Sequence, residues 1–309
     1  MITPVSRDAE EVLVQADSAC YRAKAGGRNR YVLYDPDQQR KHETATAGWS
    51  QLIKEAIKED RFTLLYQPIV SIAGHTQDFY EVLLRLPDKD GKVLMPGLLL
   101  PVAERFGLMA DIDRWVVTHA LKTLARLRAQ GREIVFSINL SGQALADPAV
   151  IKLIKSNLTL NGLPPSAVIF EVTEQTAVRY LDGEHPPAQD LLDLGCRFAL
   201  DDFGVGFSSL SYLKRLPVSL IKIDGSFIVN LPREIVDQFM VKAVTQVAKA
   251  LDKEVVAESV QDEATLELLR SYGVDFVQGN HMGRPTHALS PEPLLRVAGS
   301  GKKAVRPKS

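Results

Sequence analysis

From Phe62 onward the chain repeats one pattern, a short apolar run followed by a longer amphipathic stretch. The runs are FTLLYQPIV, FYEVLLRL, IVFSINLS, AVIFEVTE, RFALDDFG, SLIKID, EVVAES and DFVQG. Helical spacing of apolar residues marks Leu98–Phe106, Ile112–Gln130, Pro148–Asn157, Ala188–Leu194, Ser208–Arg215, Glu234–Leu251 and Asp262–Tyr272 between them. Strands alternating with helices imply parallel strands joined by crossover helices. About eight such units over about 230 residues fit an α/β protein of the (β/α)8, TIM-like barrel type better than a doubly wound sheet. No GxGxxG follows a strand, which also counts against a dinucleotide fold.

Ahead of Phe62 the pattern is different. Residues Arg7 to Gly27 read as one helix, with Asp8 as its cap and Glu10 and Glu11 near its positive end. Leu13, Ala16, Cys20 and Ala23 share a face, and Gly26-Gly27 ends the helix. Tyr31 to Tyr34 is a short strand, and Asp35 to Gly48 is polar and aperiodic, a linker or the start of a connecting helix. Helical spacing resumes from Trp49 to Lys58, and the C-terminal GSGKKAVRPKS reads as a frayed tail.

The chain has 37 Lys+Arg against 38 Asp+Glu, a net charge of -1. That balance gives no electrostatic reason to bind a nucleic-acid polymer or an anionic membrane. No apolar stretch approaches the ~18 residues of a membrane span, and the N-terminus carries acids where a signal peptide needs a basic and then an apolar run. A cytoplasmic protein, or the cytoplasmic part of a longer membrane-bound or sensory protein, is expected. Cys20 and Cys196 lie in apolar patterns and read as buried reduced thiols. His42, His75, His119, His185, His281 and His287 lack ligand spacing, so zinc is not expected.

The informative polar residues sit near the C-terminal ends of the apolar runs: Glu81, Asn139, Glu171, Asp201, Asp202, Lys222, Glu258 and Gln278. In a barrel those ends converge on one face, so residues far apart in sequence meet in one cleft. A single member reads well as a satisfied structural group, but the set does not, because unpaired buried carboxylates cost several kcal/mol each. Glu81, Glu171, Asp201, Asp202 and Glu258 share one lysine, Lys222, as counter-charge. Oxygen donors without His or Cys suit hard divalent ions such as Mg²⁺ or Mn²⁺. Adjacent aspartates allow one to bridge two ions while the other binds one, and paired ions serve in-line attack on a phosphodiester. The residues thus point to metal-assisted phosphoester hydrolysis.

With these residues in place, the chain resembles the EAL domain, the family of cyclic di-GMP phosphodiesterases. The matching strings are YQPIV at Tyr66–Val70, EVLLR at Glu81–Arg85, INLS at Ile138–Ser141, FEVTE at Phe170–Glu174 and DDFGVGFSSLSYLKRLP at Asp201–Pro217. KIDGSF at Lys222–Phe227, VAES at Val256–Ser259 and QGNHMGRP at Gln278–Pro285 follow in the family's order. The stretch AEEVLVQADSACYRAKAGGRNRYVLYD resembles the last helix and strand of a GGDEF domain, the diguanylate cyclase family, without its signature loop. The implied organisation is a GGDEF remnant over 1–37, a linker over 38–50, an EAL domain over 51–290 and a tail over 291–309.

The resemblance implies hydrolysis of cyclic di-GMP to linear pGpG with two ions, Mg²⁺ or Mn²⁺. It implies Glu81, Asn139, Glu171 and Asp201 as ligands of the first metal and Asp202 as a ligand of the second. Glu258 matches a carboxylate assigned to the second metal or to the base, and Lys222 the group that orients the attacking water. Glu174 matches the carboxylate that braces the loop after DDFG. Gln67 and Arg85 match contacts to the guanine and phosphate of the ligand, Glu104 a contact to its ribose, and Gln278 an amide beside the site. A homodimer paired through a barrel face near the DDFG loop is implied as well.

Several positions depart from the family pattern. Val82 replaces Ala in the EAL string and, by strand alternation, points away from Glu81. Phe207 and Asn280 stand where Tyr is usual. The family's AEGVE reads AESVQ, with Gln261 in place of the second glutamate, which removes a charge and adds an NH2 donor. The alternative function is therefore a weak or inactive EAL domain that binds cyclic di-GMP as a sensor.

Overall fold

The computed structural model describes residues 31, 48–75, 77–87, 93–94, 96–182, 186–205 and 210–289. The expectations for 1–37 (Tyr31 apart) and 291–309, and most of that for 38–50, lie outside the described residues, as does Phe207. The chain forms two compact units, residues 1–62 with 85–109, and residues 63–84 with 110–309.

The first unit contains a helix over 48–58, which begins before the end of the expected linker and buries Ile53 and Ala56. In the same unit the end of β2 (Asp78–Pro87) pairs antiparallel with β3 (Val93–Leu94), which the sequence pattern did not mark. Helix Pro96–Arg105 buries Leu99, Val102 and Ala103.

The second unit is the barrel. Its other strands are β1 (Thr63–Ser71), β4 (Ile134–Asn139), β5 (Val168–Thr173), β6 (Arg197–Phe203), β7 (Leu220–Ile223), β8 (Glu254–Ala257) and β9 (Phe276–Gln278). From β2 through β4 to β9 the neighbours pair in parallel, and a β1–β2 pairing closes the ring. The expected barrel is present with one difference: β1 runs antiparallel to β9. The connection from β1 to β2 spans only residues 72–77. A dozen or more residues are needed for a parallel crossover, so a chain this short has to reverse direction.

Helices follow where amphipathic spacing placed them, among them Met109–Ala129, Pro148–Leu160, Gln189–Leu194, Ile235–Ala250 and Glu263–Tyr272. Local chemistry sets their ends. Asp147 caps Pro148–Leu160 through Ala149 N–H, with Pro148 in the first turn, and Asp262 caps Glu263–Tyr272 through Thr265 N–H. Gly195 and Gly273 end two helices in the left-handed conformation.

Ile69, Phe79, Val135, Ile169, Ala199, Leu220, Val256 and Phe276 form one buried apolar cluster, one residue from each barrel strand. Burying each larger side chain of this ring stabilises the fold by roughly 1.5–3 kcal/mol. The ring fixes the inward face of every strand. Alternation then sends the residues two places away on each strand to the same side.

Candidate active site

Two places beyond the apolar ring stand Glu81 on β2, Ser137 on β4, Glu171 on β5, Asp201 on β6, Lys222 on β7, Glu258 just past β8 and Gln278 on β9. On the reversed strand β1 the equivalent position lies two places before the ring, at Gln67. The polar cluster is thus the next inward layer of the barrel, and the chain positions it with the same alternation that builds the core.

Lys222 is the hub of this layer and is only 2% exposed. Its Nζ lies 2.7 Å from Glu258 Oε1, 2.8 Å from Glu171 Oε2, 3.1 Å from Asp201 Oδ1 and 3.5 Å from Glu81 Oε2. The Asp201 contact is an ion pair outside hydrogen-bond geometry. Glu81 accepts hydrogen bonds from Asn139 Nδ2 at 2.9 Å and from Gln278 Nε2 at 2.6 Å. Gln278 Nε2 also donates to Gln67 Oε1 at 3.2 Å, and Gln67 Nε2 donates to the Gly283 carbonyl at 3.2 Å. Ser137, at the layer position of β4, donates its hydroxyl to Glu171. Asn139 stands two places further on, at the open end of the same strand.

Burial pulls Lys222 down, but Glu171, Glu81, Glu258 and Asp201 outweigh it and hold the amine well above its ordinary range. Burial raises Glu81, yet Lys222, Gln278 and Asn139 leave it below the usual carboxylate range. Burial and the neighbouring Glu81 push Glu171 well up. Burial likewise pushes Glu258 up to about 7, against the pull of Lys222. One ammonium cannot keep all these carboxylates ionised, so the site is short of positive charge.

Asp201 and Asp202 are neighbours, and on a regular strand they would face opposite ways. The β6–β7 register shifts between Leu200 and Phe203, where three steps on β6 match two on β7. Asp202 adopts φ 53°, and this bulge re-aims its side chain. Asp201, Asp202 and Glu258 each bring a carboxylate oxygen within 4.8 Å of the others. An all-oxygen donor set with surplus negative charge fits a hard divalent cation.

Above the layer lies a cavity of ≈ 280 Å³ whose lining includes Gln67, Glu81, Asp201, Lys222, Glu258, Gln278 and the rim residues Ser259, Gln261 and Asn280. Two hydrogen bonds join the rim loops, Val260 N to Gln278 O at 2.9 Å and His281 N to Val260 O at 3.1 Å. Gln278 Oε1 is buried without a hydrogen-bond partner among the described residues. Glu174, first residue of helix Glu174–Tyr180, accepts from Gly204 N–H at 3.0 Å.

Arg85 and Glu104 belong to the other compact unit, where Arg85 is half-buried on β2 and Glu104 is exposed on helix Pro96–Arg105. Val82 is buried, and so is Cys196, whose thiol burial pushes up to about 12. Sequence reasoning missed Ser137 and Ser259. Ser259 occupies the glycine position of AEGVE at φ 56°, and its hydroxyl fills the space beside Gly225, where an added Cβ would lie 2.3 Å from Ser259 Oγ. The glycine-to-serine change in the string was a legible signal.

Residues 50–285 match the family profile described as EAL domain. The chain is 36% identical over 280 residues to the "Cyclic di-GMP phosphodiesterase PdeB" of Shewanella oneidensis, which covers 90% of this chain and 33% of PdeB. It therefore spans about a third of the length of that curated relative. A solved structure titled "PaMucR Phosphodiesterase, c-di-GMP complex" superposes with a TM-score of 0.71 at 34% identity, covering 77% of this chain and 97% of that one. The FimX EAL domain from Pseudomonas aeruginosa bound to c-di-GMP gives a TM-score of 0.72 at 30% identity, covering 79% and 98%.

Proposed function

This chain belongs to the EAL domain family, and from that premise we propose that it hydrolyses cyclic di-GMP to linear pGpG. The observation that carries the reading is the inward layer of carboxylates around Lys222 at the floor of the polar cavity. The relative and the structure whose names specify a cyclic di-GMP phosphodiesterase support the substrate.

The proposed cofactor is a pair of ions, Mg²⁺ or Mn²⁺. Glu81, Asn139, Glu171 and Asp201 would hold one, and Asp202 and Glu258 the other. Such ions supply Lewis-acid stabilisation of charge on the attacking and leaving oxygens. The rest is the work of the chain's own residues. A water oxygen attacks phosphorus in line, one P–O3′ bond breaks, and the leaving 3′ oxygen ends as a hydroxyl. Glu258 has one of two roles: where it does not hold the second ion, it accepts the proton of that water. Lys222 directs the water and offsets the phosphoryl charge. Gln278 and Asn139 hold Glu81, and Glu174 braces the loop after β6. Gln67 and Arg85 are proposed for the guanine and phosphate, the latter through its two-pronged fork, and Glu104 for a ribose.

A second reading, binding of cyclic di-GMP without cleavage, is favoured by the neutral Gln261 on the cavity rim. Incubating the purified protein with cyclic di-GMP and Mg²⁺ or Mn²⁺, followed by nucleotide chromatography, separates the two. The first expects pGpG to accumulate. Binding with no product in either metal would establish the second.

We assign residues 51–290 to the EAL domain and read 1–37 as a GGDEF remnant, 38–50 as a linker and 291–309 as a tail. A homodimer is proposed through the face formed by Ile235, Val236, Phe239 and Met240. These side chains are 44–68% exposed at the start of helix Ile235–Ala250, an apolar patch of the kind that marks a contact surface. No helix among the described residues is long and apolar enough to cross a membrane. The proposed location is the cytoplasm, in keeping with the sequence reading.

A further inference from the structure

The apolar face of helix Met109–Ala129 carries one carboxylate. Ile112, Val116, Val117, Ala120 and Leu121 are buried along it, and Asp113 is buried among them at 4% exposure. A carboxylate in such surroundings is costly unless it is hydrogen-bonded. Among the described residues its bonds go to one partner: Oδ2 accepts from Ser141 N–H at 3.0 Å, and the Ser141 side chain is bonded to it as well.

Ser141 lies two residues beyond Asn139, where the chain leaves β4. Its hydroxyl caps the short helix Gly142–Leu145 by accepting from Ala144 N–H at 3.1 Å. The intervening Leu140 donates its N–H to the Glu171 carbonyl at 2.9 Å. The exit from β4 is therefore tied on one side to β5 and on the other to Asp113. Upstream of those two ties, Asn139 directs its amide at Glu81 Oε1.

We propose that Asp113 is a positioning residue: by fixing Ser141 it sets the end of β4 so that Asn139 holds Glu81 in its working orientation. The inference rests on the reading of this site as a cation-dependent phosphodiesterase. Asp113 touches neither cation nor substrate, and its influence passes through backbone geometry. Misplacements on the order of 1 Å at such a site are enough to cost large factors in rate.

The test uses the full chain stripped of metal, with Mn²⁺ binding measured by calorimetry alongside steady-state hydrolysis of cyclic di-GMP and thermal melting. Asp113→Leu fills the volume and removes the acceptor. It is expected to weaken Mn²⁺ binding and lower kcat by about tenfold each, with KM for cyclic di-GMP within about twofold. Asp113→Asn keeps an oxygen for Ser141 N–H and is expected to stay within about twofold of the parent in both measurements. If Asp113→Leu fails to fold, Ser141→Pro and Ser141→Ala replace it. Ser141 has φ -77° and ψ 157°, which proline adopts. Ser141→Pro deletes the N–H and should reproduce the loss, whereas Ser141→Ala keeps the N–H and should not. A folded Asp113→Leu or Ser141→Pro protein with parental Mn²⁺ affinity and kcat overturns the proposal. So does Asp113→Asn losing as much as Asp113→Leu. A parent that binds Mn²⁺ but leaves cyclic di-GMP intact overturns the hydrolytic reading, while weaker Mn²⁺ binding by Asp113→Leu would still support the role of Asp113.

Discussion

Glu174 accepts a hydrogen bond from the backbone N–H of Gly204 at 3.0 Å, joining the helix after β5 to the loop after β6. Gly204 has φ 104°, and a Cβ there would stand 2.8 Å from the Phe227 ring. Gly204 is therefore held by a carboxylate on one side and packed against an aromatic ring on the other. Asp201 and Asp202 lie immediately upstream of Gly204.

Glu174→Ala is expected to lower kcat by about tenfold or more, because a hydrogen bond to a charged group is worth about 1.5–3 kcal/mol. Glu174→Gln keeps a carbonyl acceptor for Gly204 N–H and should retain more of the rate. Equal losses in the two variants, measured by steady-state hydrolysis, would show that the charge matters rather than the brace.

Hydrolysis should stop when divalent metal is chelated, and Asp201→Asn and Glu81→Gln should each lose at least about a hundredfold in turnover with the fold intact. Both residues belong to the polar layer above the apolar ring, so their amides leave the core packing untouched. Circular dichroism checks the fold and product chromatography the rate. Turnover that persists in excess EDTA, or near-parental turnover in either variant, would remove the cation assignment.

Asp113 gives a pH dependence of stability. Burial, opposed in part by Ser141, pushes it up to about 7, whereas an aspartate in the unfolded chain titrates near ~4. The folded chain holds a proton there that the unfolded chain releases. This contribution to stability is complete below about pH 4 and is lost as the pH rises through about 7. Asparagine has no such proton to lose. Asp113→Asn should therefore melt higher than the parent at pH 8, by an amount on the order of 1–3 kcal/mol, and gain little at pH 4. A melting shift of the same size at both values would contradict the assignment.

Gln261→Glu should raise kcat by about tenfold, which is ~1.4 kcal/mol, with KM little changed. Gln261 lines the cavity three residues beyond Glu258. A carboxylate there accepts a hydrogen bond from the attacking water more strongly than a neutral amide does. Steady-state rates at saturating Mg²⁺ and again at saturating Mn²⁺ decide it. An unchanged or lower kcat would make Gln261 a neutral local solution. An inactive parent with an active variant would favour the sensor reading.

Much of the barrel was legible because one alternation serves two purposes. The apolar residue that packs the ring and the polar residue two places on appear together in runs such as VVAES and LIKID, so the core and the cluster were read from the same strings. The direction of β1 was not read, because alternation is the same in either direction and only the six-residue connection to β2 reveals the reversal. The bulge at Asp201-Asp202 escaped for a related reason: a pair of adjacent acids does not say which one leaves the regular conformation. Asp113 was hidden because it falls where helical spacing calls for an apolar residue, and its partner Ser141 is distant in sequence.

The reversed first strand has a consequence for how the molecule is wired. Gln67 lies nearer the start of β1 than the ring residue Ile69, so the chain enters the barrel at the mouth that carries the polar layer and first reaches the far mouth at Ser71. A module spliced into residues 72–77 would instead hang from the opposite end, away from the polar layer.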